Sequence, residues 1–353
     1  MEWPKVLVSG GRFTFLNNNT LIVSWVTPDE PLPHLPKPKK HSRLPVVPAH
    51  LKILFLDART GNKLKEHEFP VPSAPTDLLI SRSGNLIVRA GDTVDLYSPD
   101  FVPLNHAKFA LPLDWESVNS ASDIKISLDG RRIVLCSERG SSLKAEILDT
   151  EGFRLLDSFS GSQPDCPGEL VNDLSATVSD HPQRITVKKM GEEPRVLELT
   201  AIESTAKGPM PRVQLMSADM LAVLRENQIA VVTTNGKVLF NSIVPKRHLF
   251  GSVTAARDSD RFAVEVARMR GLTIPSLDMY AFPSADQLLV YSLHEQAPIL
   301  AAKLKGMSPW TPWHLVSNSA ALSPDGSLAA VLTGDSVRVY KLPPSSKDKS
   351  QLQ

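Results

Sequence analysis

Residues 320–340 read Ala-Ala-Leu-Ser-Pro-Asp-Gly-Ser-Leu-Ala-Ala-Val-Leu-Thr-Gly-Asp-Ser-Val-Arg-Val-Tyr. The stretch holds a short apolar run, a tight turn of the form Ser-x-x-Gly and a second apolar run. Another turn follows, then a third run that ends in an aromatic residue. Residues 78–97 repeat it as Leu-Leu-Ile-Ser-Arg-Ser-Gly-Asn-Leu-Ile-Val-Arg-Ala-Gly-Asp-Thr-Val-Asp-Leu-Tyr. A third copy spans Ile124 to Leu148 and carries Ser127-Leu128-Asp129-Gly130-Arg131-Arg132-Ile133-Val134-Leu135. Apolar runs of this length bounded by turn residues are strands. A recurring strand unit cannot bury its faces alone and must stack on copies of itself.

The remaining strand runs group around these copies. Thr20–Val26, Leu51–Asp57 and a strand to about Phe69 form a first block, with the turn Asp57–Gly61 between them. Thr76–His106 and Asp123–Phe159 form the second and third, and Asp173–Thr200 a less regular fourth. Val213–Val244 forms a fifth, in which Thr234-Asn235-Gly236 is a hairpin signal. Ser252–Leu304 and Ser319–Leu342 form the sixth and seventh. The fourth and fifth keep the strand rhythm without the turn motif. Four strands every roughly 40–50 residues is the rhythm of a propeller blade. The seventh block has only three strands before Pro343-Pro344, while Lys5-Val6-Leu7-Val8-Ser9 stands alone at the chain start. Joining the two would turn two exposed sheet edges into one ladder. The expected fold is therefore all-β: a single propeller of seven four-stranded blades, closed by an N-terminal strand, over residues 1–344. Six blades is the alternative if the fourth block is an insertion. The 29 prolines, scattered along the chain, and the lack of an amphipathic helix longer than about three turns agree with an all-β fold.

The turn Ser323-Pro324-Asp325-Gly326, followed by Ser-Leu-Ala-Ala-Val and Ser336-Val337-Arg338-Val339-Tyr340, resembles the second half of a WD40-like or YVTN-type (quinoprotein-like) propeller blade. Ser127-Leu128-Asp129-Gly130-Arg131-Arg132 resembles the same element. No Gly-His dipeptide opens a block and no Trp-Asp dipeptide ends one; Tyr97 and Tyr340 stand where the Trp would be. The resemblance covers three blades by motif and most of the chain by rhythm. It implies a class that contains both enzymes and scaffolds.

Composition narrows the choice. The chain has 353 residues, 42% of them hydrophobic and 22% charged, which is the balance of a globular protein. A net charge of +1 gives no global attraction to nucleic acid or anionic membrane. No apolar run of about 18 residues is present, so no membrane-spanning helix is expected. The start, Met1-Glu2-Trp3-Pro4-Lys5-Val6, shows no signal peptide. That points to a cytoplasmic protein, with an exported mature form as the alternative. The two cysteines, Cys136 and Cys166, read as unpaired thiols, because Cys136 ends an apolar strand.

Two insertions interrupt the blades. Thr27–Ala49 holds seven prolines together with Lys37, Lys39, Lys40 and Arg43, and reads as an extended surface arm able to meet a partner. Arg268–Asp286 is more apolar, with Met269, Leu272, Ile274, Leu277, Met279, Tyr280 and Phe282, and should pack on a propeller face or on another protein. Ser345–Gln353 is a polar tail. Trp310-Thr311-Pro312-Trp313-His314 is the densest aromatic cluster, on the link into the seventh blade, and Trp115 occupies the equivalent link before the third. These four, Trp310, Trp313, His314 and Trp115, are the candidate binding residues. The blander reading is that they seal blade junctions. No nucleophile elbow, phosphate loop or dinucleotide fingerprint appears, and no two histidines are spaced as metal ligands. No catalytic residue, metal or cofactor is expected. The expected function is a monomeric, non-enzymatic scaffold for a protein partner. The alternative is a hydrolase- or lactonase-like propeller enzyme, or a small-ligand binder, using the central channel.

Overall fold

The computed structural model describes residues 12–29, 48–72, 76–91, 93–108, 120–139, 142–161, 172, 174–179, 184–189, 192–197, 212–225, 228–244, 248–269, 283–304, 320–333 and 336–344. Their strands form seven antiparallel sheets, each built from strands consecutive in sequence. The first holds β1 (Arg12–Phe15), β2 (Thr20–Pro28), β3 (Pro48–Asp57) and β4 (Lys63–Pro72). The second holds β5 (Thr76–Ile80), β6 (Leu86–Ala90), β7 (Thr93–Tyr97) and β8 (Pro103–Lys108). The third holds β9 (Ser120–Ile126), β10 (Arg132–Arg139), β11 (Ser142–Asp149) and β12 (Leu155–Gly161). The fourth has three strands among the described residues, β13 (Leu174–Ser179), β14 (Arg184–Lys189) and β15 (Arg195–Leu197). The fifth holds β16 (Arg212–Leu215), β17 (Met220–Arg225), β18 (Gln228–Thr233) and β19 (Val238–Ile243). The sixth holds β20 (His248–Ala255), β21 (Arg261–Met269), β22 (Pro283–Ser292) and β23 (Glu295–Leu304). The seventh again has three described strands, β24 (Ala320–Leu322), β25 (Leu328–Thr333) and β26 (Ser336–Lys341).

The sheets stack into a ring because their middle strands are apolar on both faces. Leu86, Ile87 and Val88 of β6 are all buried, as are Leu221–Leu224 of β17 and Ile229–Val232 of β18. A strand covered on one side only would alternate instead. Among the described residues, apolar clusters join six of the seven pairs of neighbouring sheets, all but the third and fourth. Ile22, Ile53 and Phe55 meet Leu78, Leu86 and Val88 between the first and second. Ile87 and Leu96 meet Ile133 and Phe153 between the second and third. Similar clusters join the fourth to the fifth, the fifth to the sixth and the sixth to the seventh. Phe13, Phe15, Leu21 and Val23 meet Ala321, Leu328, Ala330 and Val337, so the seventh sheet packs on the first and the ring closes. The chain is a seven-bladed β-propeller. Residues 174–197 form a blade of their own, which settles seven against six.

The structure changes three local expectations. The first blade has an inner strand, β1, that the sequence pattern did not mark, because Arg12–Phe15 is only four residues long. The first insertion is shorter than expected. β2 and β3 still pair at Thr27↔His50 and Pro28↔Ala49, and Ala49 is buried. β21 and β22 likewise pair out to Met269↔Pro283. Prolines fit at such strand ends because the amide they lack has no ladder partner there. Third, Cys136 is disulfide-bonded rather than a free thiol; the only other cysteine of the chain, Cys166, lies outside the described residues. Cys136 stands on the face of the third blade where Val134, Leu143, Ala145 and Ile147 cluster without a partner blade among the described residues.

The Ser-x-x-Gly motif joins first to second strand. Ser127 is buried; its hydroxyl donates to Asp129 Oδ1 (2.6 Å) and accepts from the amides of Arg131 and Arg132. Ser323 does the same with Asp325 (2.7 Å) and the Leu328 amide (2.9 Å). Burial works against the charge of Asp129, but the hydrogen bonds from Ser127 and Arg131 prevail and hold its carboxyl below the usual range. Asp325 is lowered against burial in the same way, by Ser323 and Ser327. Gly130 takes φ +69° and passes so close to the second blade that a Cβ would lie 2.8 Å from the Arg82 nitrogen. That nitrogen donates to the Gly130 carbonyl (2.8 Å).

In four blades the third-to-fourth turn has a left-handed residue as well. Gly61 and Gly236 supply it in blades one and five, whereas blades two and three use Phe101 (φ 63°) and Phe153 (φ 52°). A phenylalanine there is strained by roughly 1 kcal/mol or more. Its ring compensates by filling a blade junction: Phe101 stacks on His67 (4.2 Å) and meets Phe55 edge-on (5.3 Å). Where blade one meets blade seven the residue is Gly61, and a cavity of about 350 Å3 remains. Leu21, Val23 and Leu56 line it from blade one, and Val337, Val339 and Tyr340 from β26.

Two outcomes are expected. Gly130→Ala should destabilise the protein by about 2 kcal/mol, since it adds a left-handed penalty to a steric one; a urea midpoint unchanged from wild type would show that the turn relaxes freely. The expected closing strand, residues 5–9, lies outside the described residues. If it is the fourth strand of blade seven, beside β26 and the cavity, deleting Met1–Gly10 should lower Tm by several degrees. An unchanged Tm would reject that closure.

Candidate functional site

Each blade is an up-and-down meander, so its connections separate onto two faces. Turns between first and second strands, and between third and fourth, share one face. Hydrogen bonds stitch that face across blades: Asp258 N to Pro324 O (2.8 Å), and Asp325 N to Asn18 Oδ1 (3.0 Å). Within blades, the residue that follows the third strand donates back to the first turn. Ala58 reaches Asn19 O, Thr150 reaches Arg131 O, Thr234 reaches Asp219 O, and Leu342 reaches Ser327 O, all at 2.8–2.9 Å. Arg261, buried, ties blade six to blade seven by donating to the carbonyls of Gly326 (2.6 Å) and Pro343. This face is closed by tight turns.

The opposite face carries the links from second to third strand and from blade to blade. In blades two, three, five and seven the second-to-third link is only two residues long, at 91–92, 140–141, 226–227 and 334–335. In blade one it runs from Asp29 to residue 47, and in blade six from 270 to 282. Residues 109–119, which include Trp115, link β8 to β9; residues 305–319, which include Trp310, Trp313 and His314, link β23 to β24. All four candidate residues lie outside the described residues. The strand ends that flank them open on the same face as the ends that flank both insertions.

The first strands begin at this face, and charged side chains gather at their ends. Arg12 Nη2 lies 2.7 Å from Asp77 Oδ1, joining blade one to blade two. Arg89 Nη1 lies 3.6 Å from the other oxygen of Asp77, and its Nε donates to Gly91 O (3.2 Å). The Arg89 side chain is 3% exposed and that of Asp77 10%. Across the ring, Arg212 donates to Gly251 O, beside the buried carboxylate of Glu265. A Cβ on Gly251 would stand 2.7 Å from Glu265 Oε2, so the glycine makes room for that carboxylate. Gln214 binds both polar groups of Val253, donating to its carbonyl (2.8 Å) and accepting from its amide (3.0 Å). That contact spans the register shift between Phe250 and Val253. These groups neutralise one another and brace neighbouring blades. Among the described residues, no group of three or more His, Cys, Asp or Glu side chains is placed to hold a metal ion.

Sequence reasoning found none of this ring of charges. Arg12, Asp77 and Arg89 come from different blades or from paired strands, and nothing in their local context marks them. It also missed a fourth, less buried copy of the serine turn, Ser217-Ala218-Asp219-Met220, whose Ser217 hydroxyl donates to Asp219 Oδ1 (2.6 Å). That copy lacks the glycine on which the motif was recognised.

No known protein family matches the chain, and no curated protein does. Solved structures resemble it at the level of overall shape. Hsv2 of Kluyvelomyces marxianus is 11% identical over 96% of this chain and 93% of its own, with a TM-score of 0.49. A chain of the Mitotic Checkpoint Complex is 12% identical over 98% and 93%, at 0.46. A structure of BBS1N in complex with ARL6DN is 17% identical over 85% and 88%, at 0.41. At this distance the likeness says nothing of function, and the propeller rests on the seven sheets themselves.

Asp77→Asn should cost about 3 kcal/mol, because it removes the carboxylate charge that faces both the buried Arg89 guanidinium and Arg12. The double variant with Arg89→Met should recover part of that loss. A single variant as stable as wild type in thermal melts would mean that the pair braces nothing.

Proposed function

We propose that the chain is a non-enzymatic propeller that presents its face of long connections to a protein partner. The observation that carries this reading is the inequality of the two faces. One is sealed by short turns bonded across blades; both insertions and both tryptophan-bearing links spring from the other. A fold that needs only two residues between second and third strands has no structural use for an arm of the length seen in blade one. Surplus segments gathered on one side of a rigid support are the arrangement in which loops carry recognition. The tryptophans supply large, rigid contact area of the kind that anchors interfaces. The alternative, chemistry in the central channel, calls for several acidic or histidine side chains converging there. The two buried carboxylates among the described residues, Asp77 and Glu265, lie against arginines.

The test uses the full chain, tagged and recovered with chemical cross-linking from its own cells. Trp313→Ala is expected to weaken the recovered complex by more than about fivefold, the loss of one buried aromatic anchor, with Tm nearly unchanged. A second variant replaces Pro31–Val47 by a brief Gly-Ser linker. It should fold normally, because loop length costs little entropy, and should also lose partner. A large fall in Tm for Trp313→Ala with the complex intact would show that Trp313 seals the junction between blades. A complex indifferent to both variants would overturn the assignment of this face.

A further inference from the structure

At the root of the first insertion the chain leaves β2 through Asp29 and returns through Pro48, and the Asp29 amide donates to the Pro48 carbonyl (3.0 Å). His50 stands directly across from Thr27 on β3. Its ring lies between two carboxylates. Nε2 is 3.1 Å from Asp29 Oδ1, and Nδ1 is 3.0 Å from Glu68 Oε1 on β4. Lys52, the cross-strand neighbour of Glu68, places its Nζ 3.5 Å from Glu68 Oε2. These three groups, Asp29, Glu68 and Lys52, are the described charges that face the ring, one beyond the end of β2 and one each on β4 and β3.

The chemistry of imidazole makes this arrangement depend on charge state. Only the doubly protonated ring offers a hydrogen from each nitrogen. The neutral ring has one donor and one bare lone pair, so one of its two nitrogens would face a carboxylate oxygen at about 3 Å with no hydrogen between them. The imidazolium satisfies both carboxylates at once and joins three chain segments across the neck. Loss of its proton leaves a single N–H for two carboxylates, so the contact to Asp29, which bridges the neck, is kept only in the tautomer that gives up Glu68. We propose that His50 is a pH-sensitive clasp on the root of the proline-rich insertion, closed when the ring is charged and loosened when it is neutral. The clasp bears on a partner only if the face assigned above is the binding face, but the clasp itself rests on the neck geometry alone.

The experiment is amide hydrogen exchange of the full-length protein at pH 5.5 and pH 8, on either side of the range where histidine changes charge. Peptides covering residues 24–29 and 48–54 are followed, with rates corrected for the intrinsic pH dependence. In the wild type, protection at Asp29 and its neighbours should fall about two- to fivefold between the two pH values, the size expected of half-exposed ion pairs. His50→Gln, which is uncharged throughout, should show the low protection at both. His50→Arg, which is charged throughout, should show the same protection at both. A wild type whose corrected profile matches that of His50→Gln overturns the proposal, as does a pH response that survives in His50→Arg. Either result leaves the choice of binding face untouched.

Discussion

Middle strands apolar on both faces impose a condition that the whole molecule meets. A sheet built from Leu86-Ile87-Val88 or Ile229-Ala230-Val231-Val232 cannot present either side to water, and each fully buried Ile, Leu or Val contributes about 1.5–3 kcal/mol only if both sides are covered. One neighbouring sheet covers one side and leaves the other bare. Two neighbours for every sheet require a closed ring, and Phe13, Phe15, Leu21 and Val23 against Ala330 and Val337 provide the closure. The outer strands answer to no such demand. β8 and β12 are mostly exposed, and bulges interrupt their pairing with the third strands. The leucines thrown out at these bulges, Leu104 and Leu156, stand in solvent. Irregular edges of this kind resist pairing with a stray strand.

Packing sets the ring, and the turns set the spacing within it. The buried Ser-x-Asp corner satisfies several backbone amides with two side chains, which lets a surface turn sit against its neighbours without unpaired donors. Because these corners are compact, adjacent blades touch backbone to backbone, as Arg82 and Gly130 do. Longer links would hold the blades apart on that side. All the freedom in connection length is therefore left to the opposite face, where blades one and six have used it.

Architecture was legible in the sequence because it is written in local, repeated signals. Ser323-Pro324-Asp325-Gly326 and Ser127-Leu128-Asp129-Gly130 fix turns within four residues, and the apolar runs beside them fix strands. β1 escaped because four residues are too few to show a period, and the Ser217 turn because Met220 stands where the glycine was sought. The contacts between Arg12, Asp77 and Arg89 and those at the insertion root were not legible. Asp77 finds Arg12 in another blade, and His50 finds Glu68 on the next strand. Such encounters depend on the ring and the register being in place. The bonded state of Cys136 belongs with them: its apolar strand argued for a quiet buried thiol, and burial says nothing about what stands opposite. The candidate tryptophans were chosen by composition and chain position, and only the strand ends around them locate the face they belong to.

Closure of the ring through the cluster of blades one and seven has a thermodynamic corollary. Repeat arrays that are open at both ends can lose terminal units one by one, since an end repeat has a single neighbour. A ring has no such unit. Removing a blade that is joined on both sides severs two apolar junctions and exposes the middle strands of both neighbours, so partial states are disfavoured however weak an individual blade is. The irregular fourth blade illustrates this. Its Leu174, Ile185 and Val187 are held against blade five although its third strand, β15, is only three residues long. Sequence drift in one repeat is therefore underwritten by the integrity of the circle, which is how a ring can carry blades that have lost the motif that founded it.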